Sequence, residues 1–269
     1  MKLRLATCFI LFASCCLPAF ADNNDNNAPD LGAYVAYPPP QKSRIAEFFS
    51  HVYISGKIGG DFARINDINT PTPQVQLYGS AQQTTFSKNI LGKGVALGYT
   101  LPAMEDTLFN RVEVEYMSRS DLNYNSSPPF SAGGSITSTL ASTVSSDTVL
   151  AKWYAEFKFG NFPLRPFAVG GIGLAHNVTK SNATYDDNIS GTGGAASSNL
   201  SVKSNNLAWD VGAGLAYYFN SHVGIDVDYE YVSLGSLEWD MSTNAGYTAV
   251  LQSNQFYVHT LNAALKIIL

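Results

Sequence analysis

The sequence predicts an all-β protein, an eight-stranded antiparallel transmembrane β-barrel built as an up-and-down meander with long extracellular loops and short periplasmic turns. Three observations carry this. From Phe49 onward the apolar pattern has period 2; the connections between patterned segments alternate long and short; and the chain opens on an export signal. No later segment approaches the roughly 18 to 20 consecutive apolar residues of a spanning helix, which excludes a helical membrane protein.

Residues 1–21 read as a secretory signal. Lys2 and Arg4 form a basic start, Leu5 to Leu17 an apolar stretch, and Ala19-Phe20-Ala21 a small-x-small cleavage site. Cleavage would leave Asp22 as the first mature residue. Cys8, Cys15 and Cys16 all lie in the signal, so the mature chain offers no disulfide and no thiol nucleophile. Ala13-Ser14-Cys15 is the competing, lipoprotein-like cleavage box. Losing Lys2 and Arg4 moves the formal charge from −5 to −7, with 14 basic residues against 21 acidic ones. Nucleic acid, which requires a basic face, is excluded as a partner. Residues 22–48 hold Asn23-Asn24-Asp25-Asn26-Asn27 and Pro38-Pro39-Pro40 without periodicity, and read as a flexible leader with a stiff proline segment. The barrel is expected over 49–269.

The strands follow in order. Val52 to Arg64 and Phe86 to Tyr99 are the first two. In the third, Val112, Val114 and Tyr116 alternate with Arg111, Glu113 and Glu115; in the fourth, Ala151, Trp153, Ala155 and Phe157 alternate with Lys152, Tyr154, Glu156 and Lys158. Pro166 to Val178 is the fifth. There Phe167 and Val169 have the opposite parity to Ile172 and Leu174, which predicts a bulge or glycine kink at Gly170-Gly171. Leu207 to Phe219 sets seven apolar positions against Ala208, Asp210, Gly212, Gly214 and Ala216. Val223 to Tyr231 opposes its apolar set to Asp226, Asp228 and Glu230. His259 to Leu269 closes the series with Asn262 and Lys266 on the polar face.

Between these strands, 65–84, 119–147, 179–206 and 234–254 are long and rich in Ser, Thr, Asn and Gly, whereas 100–109, 160–165 and 220–222 are short. That asymmetry is the one transmembrane barrels show, with both chain ends on the periplasmic side. Closure follows because an unpaired backbone group in hydrocarbon costs several kcal/mol. Tyr99, Phe109, Phe159, Phe162, Tyr217 and Phe219 crowd the short turns, as an interfacial aromatic girdle requires.

Over residues 49–269 the chain resembles the outer-membrane β-barrel superfamily of the OmpA transmembrane domain, the neisserial opacity proteins and rickettsial surface antigens. The resemblance is carried by Val52-Tyr53-Ile54-Ser55-Gly56-Lys57, Pro166 to Gly173, Trp209-Asp210-Val211-Gly212-Ala213-Gly214-Leu215 and the Asp226 to Tyr231 strand. It implies a Gram-negative outer-membrane location, with membrane lipid as a partner. Two departures stand out. The chain ends in Lys266-Ile267-Ile268-Leu269 rather than the terminal Phe the assembly machinery reads, and no peptidoglycan-binding domain is expected after the barrel.

Placing the polar face inward puts Lys57, Asp61, Arg111, Glu113, Glu115, Lys152, Glu156, Lys158, Asp210, Asp226, Asp228, Glu230 and Lys266 in the lumen or at its rims. An eight-stranded interior is just wide enough for side chains, so these groups are expected to pair into a plug. His51, His176, His222 and His259 lack metal-ligand spacing, so no metal is expected. His259 and Thr260, the one His-hydroxyl pair, fall on opposite faces of a strand. With no catalytic motif and no phosphate loop, no enzyme activity and no cofactor are expected.

The function class that fits is a surface interaction protein, an adhesin or surface antigen. Its loops, including Tyr78, Tyr124, Tyr185 and Tyr247, would contact a host-surface or matrix protein from a rigid scaffold. A small ion or solute channel is the alternative, and a lipid-modifying barrel enzyme the third.

Overall fold

The computed structural model describes residues 48–69, 85–102, 107–125, 130–132, 136–160, 162–187, 194–240 and 250–269. The expected signal, and the leader up to residue 47, lie outside them. The strands are β1 (Val52–Asn69), β2 (Phe86–Thr100), β3 (Leu108–Asn125), β4 (Phe130–Ala132), β5 (Ile136–Phe157), β6 (Leu164–Asp187), β7 (Gly194–Tyr218), β8 (Val223–Asp240) and β9 (Val250–Ile268). Each wall strand pairs antiparallel with its sequence neighbour, β3 pairs with β5, and β9 returns to β1. The three-residue β4 pairs with β5 as an accessory hairpin, leaving a closed wall of eight strands.

The register sets the shape. From Ile267 on β9 the ladder runs through Ile54, Leu97, Val114, Ala151, Ile172, Trp209 and Ser233 to Tyr257, ten positions further along β9. A stagger of that size, at about 3.3 Å per residue and about 4.8 Å between strands, tilts the strands roughly 40° from the axis. Every residue on that path faces outward, so one parity governs the whole wall.

The outward set includes Ile54, Ile58, Phe62, Val95, Trp153 and Leu215, all exposed. In water so continuous an apolar surface would drive aggregation; in a bilayer it is the lipid contact. On β1 it runs from Ile54 to Phe62, about 20 Å along the axis at roughly 2.5 Å per tilted residue, near the ~25 Å band of such barrels. Tyr217 packs edge-on against Phe219 at 5.0 Å near the periplasmic end. Towards the other end Tyr229, Tyr231 and Tyr257 gather around His259, whose Nδ1 lies 2.7 Å from the Tyr229 hydroxyl, and Trp209 packs on Tyr231.

Several sequence expectations change. The strands run on into segments expected as connections: most of 179–206 is strand, β6 ending at Asp187 and β7 starting at Gly194. Above the membrane both faces of a strand can be polar, so apolar alternation stops while backbone pairing continues. The bulge expected at Gly170-Gly171 is absent, since β6 keeps unbroken register with β5 and β7. Phe167 and Val169 point inward, buried with Tyr154 and Ala216, whereas Ile172 and Leu174 face out. Apolar residues on both faces, rather than a kink, produce the parity conflict. Irregularities occur instead between Arg119 and Leu122, at Asp67 (φ 52°) and at Gly235 (φ 84°). Phe109 lines the periplasmic mouth under the Arg165 guanidinium, 5.0 Å away, rather than joining the girdle.

Gly98 on β2 has a specific packing role. It pairs with Tyr53, and a Cβ at that position would fall 2.1 Å from Tyr53 Cζ. The missing side chain is the space the tyrosine ring occupies.

Candidate functional site

Inside the membrane-spanning wall, the inward residues of six strands converge on two linked ion-pair clusters. In the central one, Lys152 on β5 reaches Glu115 and Asp210 at 2.9 Å and Glu230 at 2.8 Å. Lys57 on β1 reaches Glu115 at 2.5 Å and pairs with Glu113. Glu113 also accepts from the Tyr53 hydroxyl at 2.9 Å and the Tyr154 hydroxyl at 3.2 Å.

The periplasmic cluster centres on Arg111, whose Nε contacts Glu156 and whose Nη2 contacts Asp226, each at 2.8 Å. Its guanidinium lies 3.9 Å from the centre of the Tyr154 ring, which adds a cation–π contact. Lys266 reaches Asp226 at 2.7 Å, and the Tyr218 hydroxyl donates to Glu156 at 3.0 Å. Tyr53, donating to Glu113 and accepting from Arg111 at 3.5 Å, connects the clusters. Strand alternation alone directs these side chains inward, and closure brings residues as far apart as Lys57 and Glu113 into contact.

Ten of the thirteen charged residues expected inside or at the rims meet in these two clusters. Of the others, Asp61 pairs with Arg119 at 3.0 Å, and Asp228 accepts from Asn262 at 2.8 Å and forms no ion pair among the described residues. Two residues need correction. Lys158 follows the end of β5 and sits at the periplasmic mouth, 5.9 Å from the Phe109 ring centre, outside the ion-pair network. Arg119 is buried in the lumen although the sequence placed it in a connection, because β3 runs on to Asn125.

A second feature is not foreshadowed by the polar-face rule. Beyond Asp61 and Arg119 the lumen holds a buried apolar cluster of Ile65, Leu122, Tyr124, Val144, Leu234, Leu237, Trp239, Leu251, Phe256 and Val258, set beside the buried polar side chains of Ser142, Ser146, Asn177, Thr179 and Ser253. The Trp239 indole N–H donates across it to Ser142 Oγ at 2.8 Å. Tyr124, expected among the loop tyrosines, is 1% exposed and packs on Phe86 and Trp239. Tyr78 and Tyr247 lie outside the described residues. Leu234 and Leu237 lie three apart across Gly235, and Leu251 and Phe256 five apart, so no unbroken period of 2 marks these inward residues, and most of them fall in segments read as connections.

The lumen therefore has charge within the membrane and a largely apolar cluster with buried hydroxyls and amides above it. At the periplasmic end a cavity of about 500 Å³ opens between Tyr53, Phe109, Lys158, Arg165, Tyr218 and Lys266. It reaches the periplasmic ion-pair cluster at Lys266 and Tyr218. On the outer wall above the membrane, a pocket of about 350 Å³ is lined by Asn123, Asn125, Thr143, Lys180, Asn182 and Asn199.

The closed wall, its apolar belt, and the start of β1 and end of β9 at one rim are those of an outer-membrane barrel, and residues 7–266 match the family model of the outer membrane protein beta-barrel domain. The chain belongs to that family. This barrel is an outer-membrane protein, with the bilayer as its surrounding medium. Solved structures similar to it include neisserial surface protein A, at 14% identity, covering 81% of this chain and 97% of that one with a TM-score of 0.38. The attachment invasion locus protein of Yersinia pestis, in complex with a heparin analogue, matches at 15% identity, covering 81% and 99%, with a TM-score of 0.36. The outer membrane protein OprG of Pseudomonas aeruginosa matches at 14% identity, covering 82% and 100%, also with a TM-score of 0.36. No curated protein matches the barrel significantly.

Proposed function

We propose that this barrel is a surface interaction protein, an adhesin or surface antigen, that binds a host-surface or matrix partner with its extracellular end. The observation that carries the reading is the filled lumen. Buried ion pairs occupy it within the membrane, and the Trp239–Phe256 apolar cluster lies above them. Side chains fill the interior at both levels, so we place the working surface on the outside of the barrel.

The extended strands favour the same conclusion. They hold the upper wall rigidly above the bilayer, and Asn123, Thr143, Lys180, Asn182 and Asn199 line an outward pocket there. Thr143 already donates to Asn123 at 3.1 Å, which orients the amide. Amides and hydroxyls fixed on a stiff scaffold suit polar recognition at low entropic cost.

The test is attachment to host cells by a non-adherent bacterium displaying the barrel. It is compared with versions in which 70–84 or 241–249 is replaced by a short turn, and with Asn123→Ala/Asn182→Ala. Surface display of each is confirmed by antibody labelling. Attachment that falls when a loop or the pocket is altered supports the adhesin reading; background attachment by every version rejects it for those cells.

A further inference from the structure

Above the membrane the wall has a seam between β2 and β3. The two strands pair from Thr100–Arg111 up to Gly92–Arg119, and there their ladder stops, although β2 begins higher, at Phe86, and β3 runs on to Asn125. Two features part them. Ser120 and Asp121 together oppose Ser145, a bulge that bends β3. The Ser120 hydroxyl also accepts from the Leu91 N–H at 2.9 Å, where a β3 carbonyl would accept in a continued ladder. Upper β2 stays paired with β1 as far as Phe86–Ile65, so on its β3 side it is an edge strand among the described residues. Asn89 pairs with Phe62, the last apolar residue of the β1 belt, which sets this edge at and above the upper limit of the hydrocarbon.

Exposure follows the seam. Phe86, Lys88 and Ile90 have the lumen-facing parity, and their partners Ile65, Ala63 and Asp61 are all buried. Yet Lys88 is exposed and Phe86 and Ile90 are half-buried, because the β3 backbone does not flank them. Lys88 forms no ion pair among the described residues: Asp61 below it is held by Arg119, and the exposed Asp121 of the bulge forms none either. Alternate residues of an antiparallel strand point N–H and C=O to the same side, so the Leu91 bond shows that Ser87 and Asn89 point theirs into the seam.

We propose that this edge binds an extended segment of an external protein, which adds to β2 as a strand with apolar residues beside Phe86 and Ile90 and a carboxylate beside Lys88. A row of main-chain donors and acceptors at strand spacing is matched by another extended backbone. The side chains set the pattern, since cross-strand neighbours of Phe86, Lys88 and Ile90 are favoured as apolar, acidic and apolar at alternate positions. The inference rests on the adhesin reading for the partner's being outside the cell, and names the part of the extracellular end that makes the contact.

The experiment is binding of a fluorescently labelled, end-capped peptide, Ser-Val-Ser-Glu-Ser-Val-Ser, to the full-length barrel in detergent micelles, read by anisotropy. N-methylation of the two serines flanking the Glu removes the N–H groups that would face Ser87 and Asn89, and should weaken binding at least about tenfold. Lys in place of the Glu should weaken it by about tenfold, and Lys88→Glu should reverse that preference, a swap that non-specific adsorption would not follow. Asn89→Pro removes an N–H that the β1 ladder does not use, so this variant should keep its heat-dependent gel mobility and lose the peptide. Equal binding of the methylated peptide, or no binding by the unaltered barrel below about 1 mM, overturns the proposal. Binding that appears only when 70–84 is replaced by a short turn overturns the external partner and assigns the edge to the chain's own connection. The peptide assay uses no host cell, so its failure is distinct from that of the adhesin reading, which is read by attachment.

Discussion

Lys152 Nζ lies 2.8 Å from Glu230 Oε2 in the centre of the lumen, with none of the lysine side chain exposed. The same ammonium serves Glu115 and Asp210, so one cation compensates three carboxylates. Lys152→Met would leave all three short of a partner and should destabilise by about 3–5 kcal/mol, the usual effect of breaking a buried ion pair from one side. Urea unfolding of the barrel in lipid vesicles, followed by tryptophan fluorescence, measures this. Adding Glu230→Gln to Lys152→Met should recover part of the loss. A change below about 1 kcal/mol for the single variant would show that the network does not hold the wall together.

Trp239 closes the apolar layer from the opposite side of the lumen to Ser142. Trp239→Ala removes the largest side chain of that layer and the indole hydrogen bond, and should destabilise by about 3–5 kcal/mol in the same assay. Trp239→Phe keeps most of the volume and should lose less. Equal effects of the two would mean that packing does not dominate there.

Both layers together predict an electrically silent barrel. Planar-bilayer recordings of the purified protein at neutral pH should show no steady unitary current. A reproducible conductance that changes with Glu113→Gln would contradict the sealed lumen and favour the channel alternative.

Lys93 faces outward on β2 between Leu91 and Val95, and among the described residues has no ion pair. A lipid-facing lysine costs up to about 2–4 kcal/mol at mid-bilayer and little at the interface, where its stem can extend to the headgroups. Lys93→Leu should therefore stabilise the barrel by about 1–2 kcal/mol in zwitterionic vesicles. A destabilised Lys93→Leu barrel would show that the ammonium has a partner worth more than its burial costs.

Much of this protein is legible in its sequence. Alternation in Val112 to Tyr116, in Leu207 to Phe219 and in Val223 to Tyr231 locates the lipid face, because a wall between hydrocarbon and a narrow interior permits one parity only. The polar parity then names most of the lumen charges. Arg119 and the apolar layer escape because above the bilayer the outer face is free to be polar. Leu122, Leu234 and Trp239 therefore point inward from segments whose composition reads as loop.

The sequence by itself determined strand periodicity, strand order and the sign of each face, all properties of residues near one another along the chain. Partners across the lumen were decided only by the tertiary structure. Lys152 meets Glu115, Asp210 and Glu230 because closure with a ten-residue stagger brings their strands to a common depth. That stagger is a property of the whole ring, fixed only when the last strand pairs with the first.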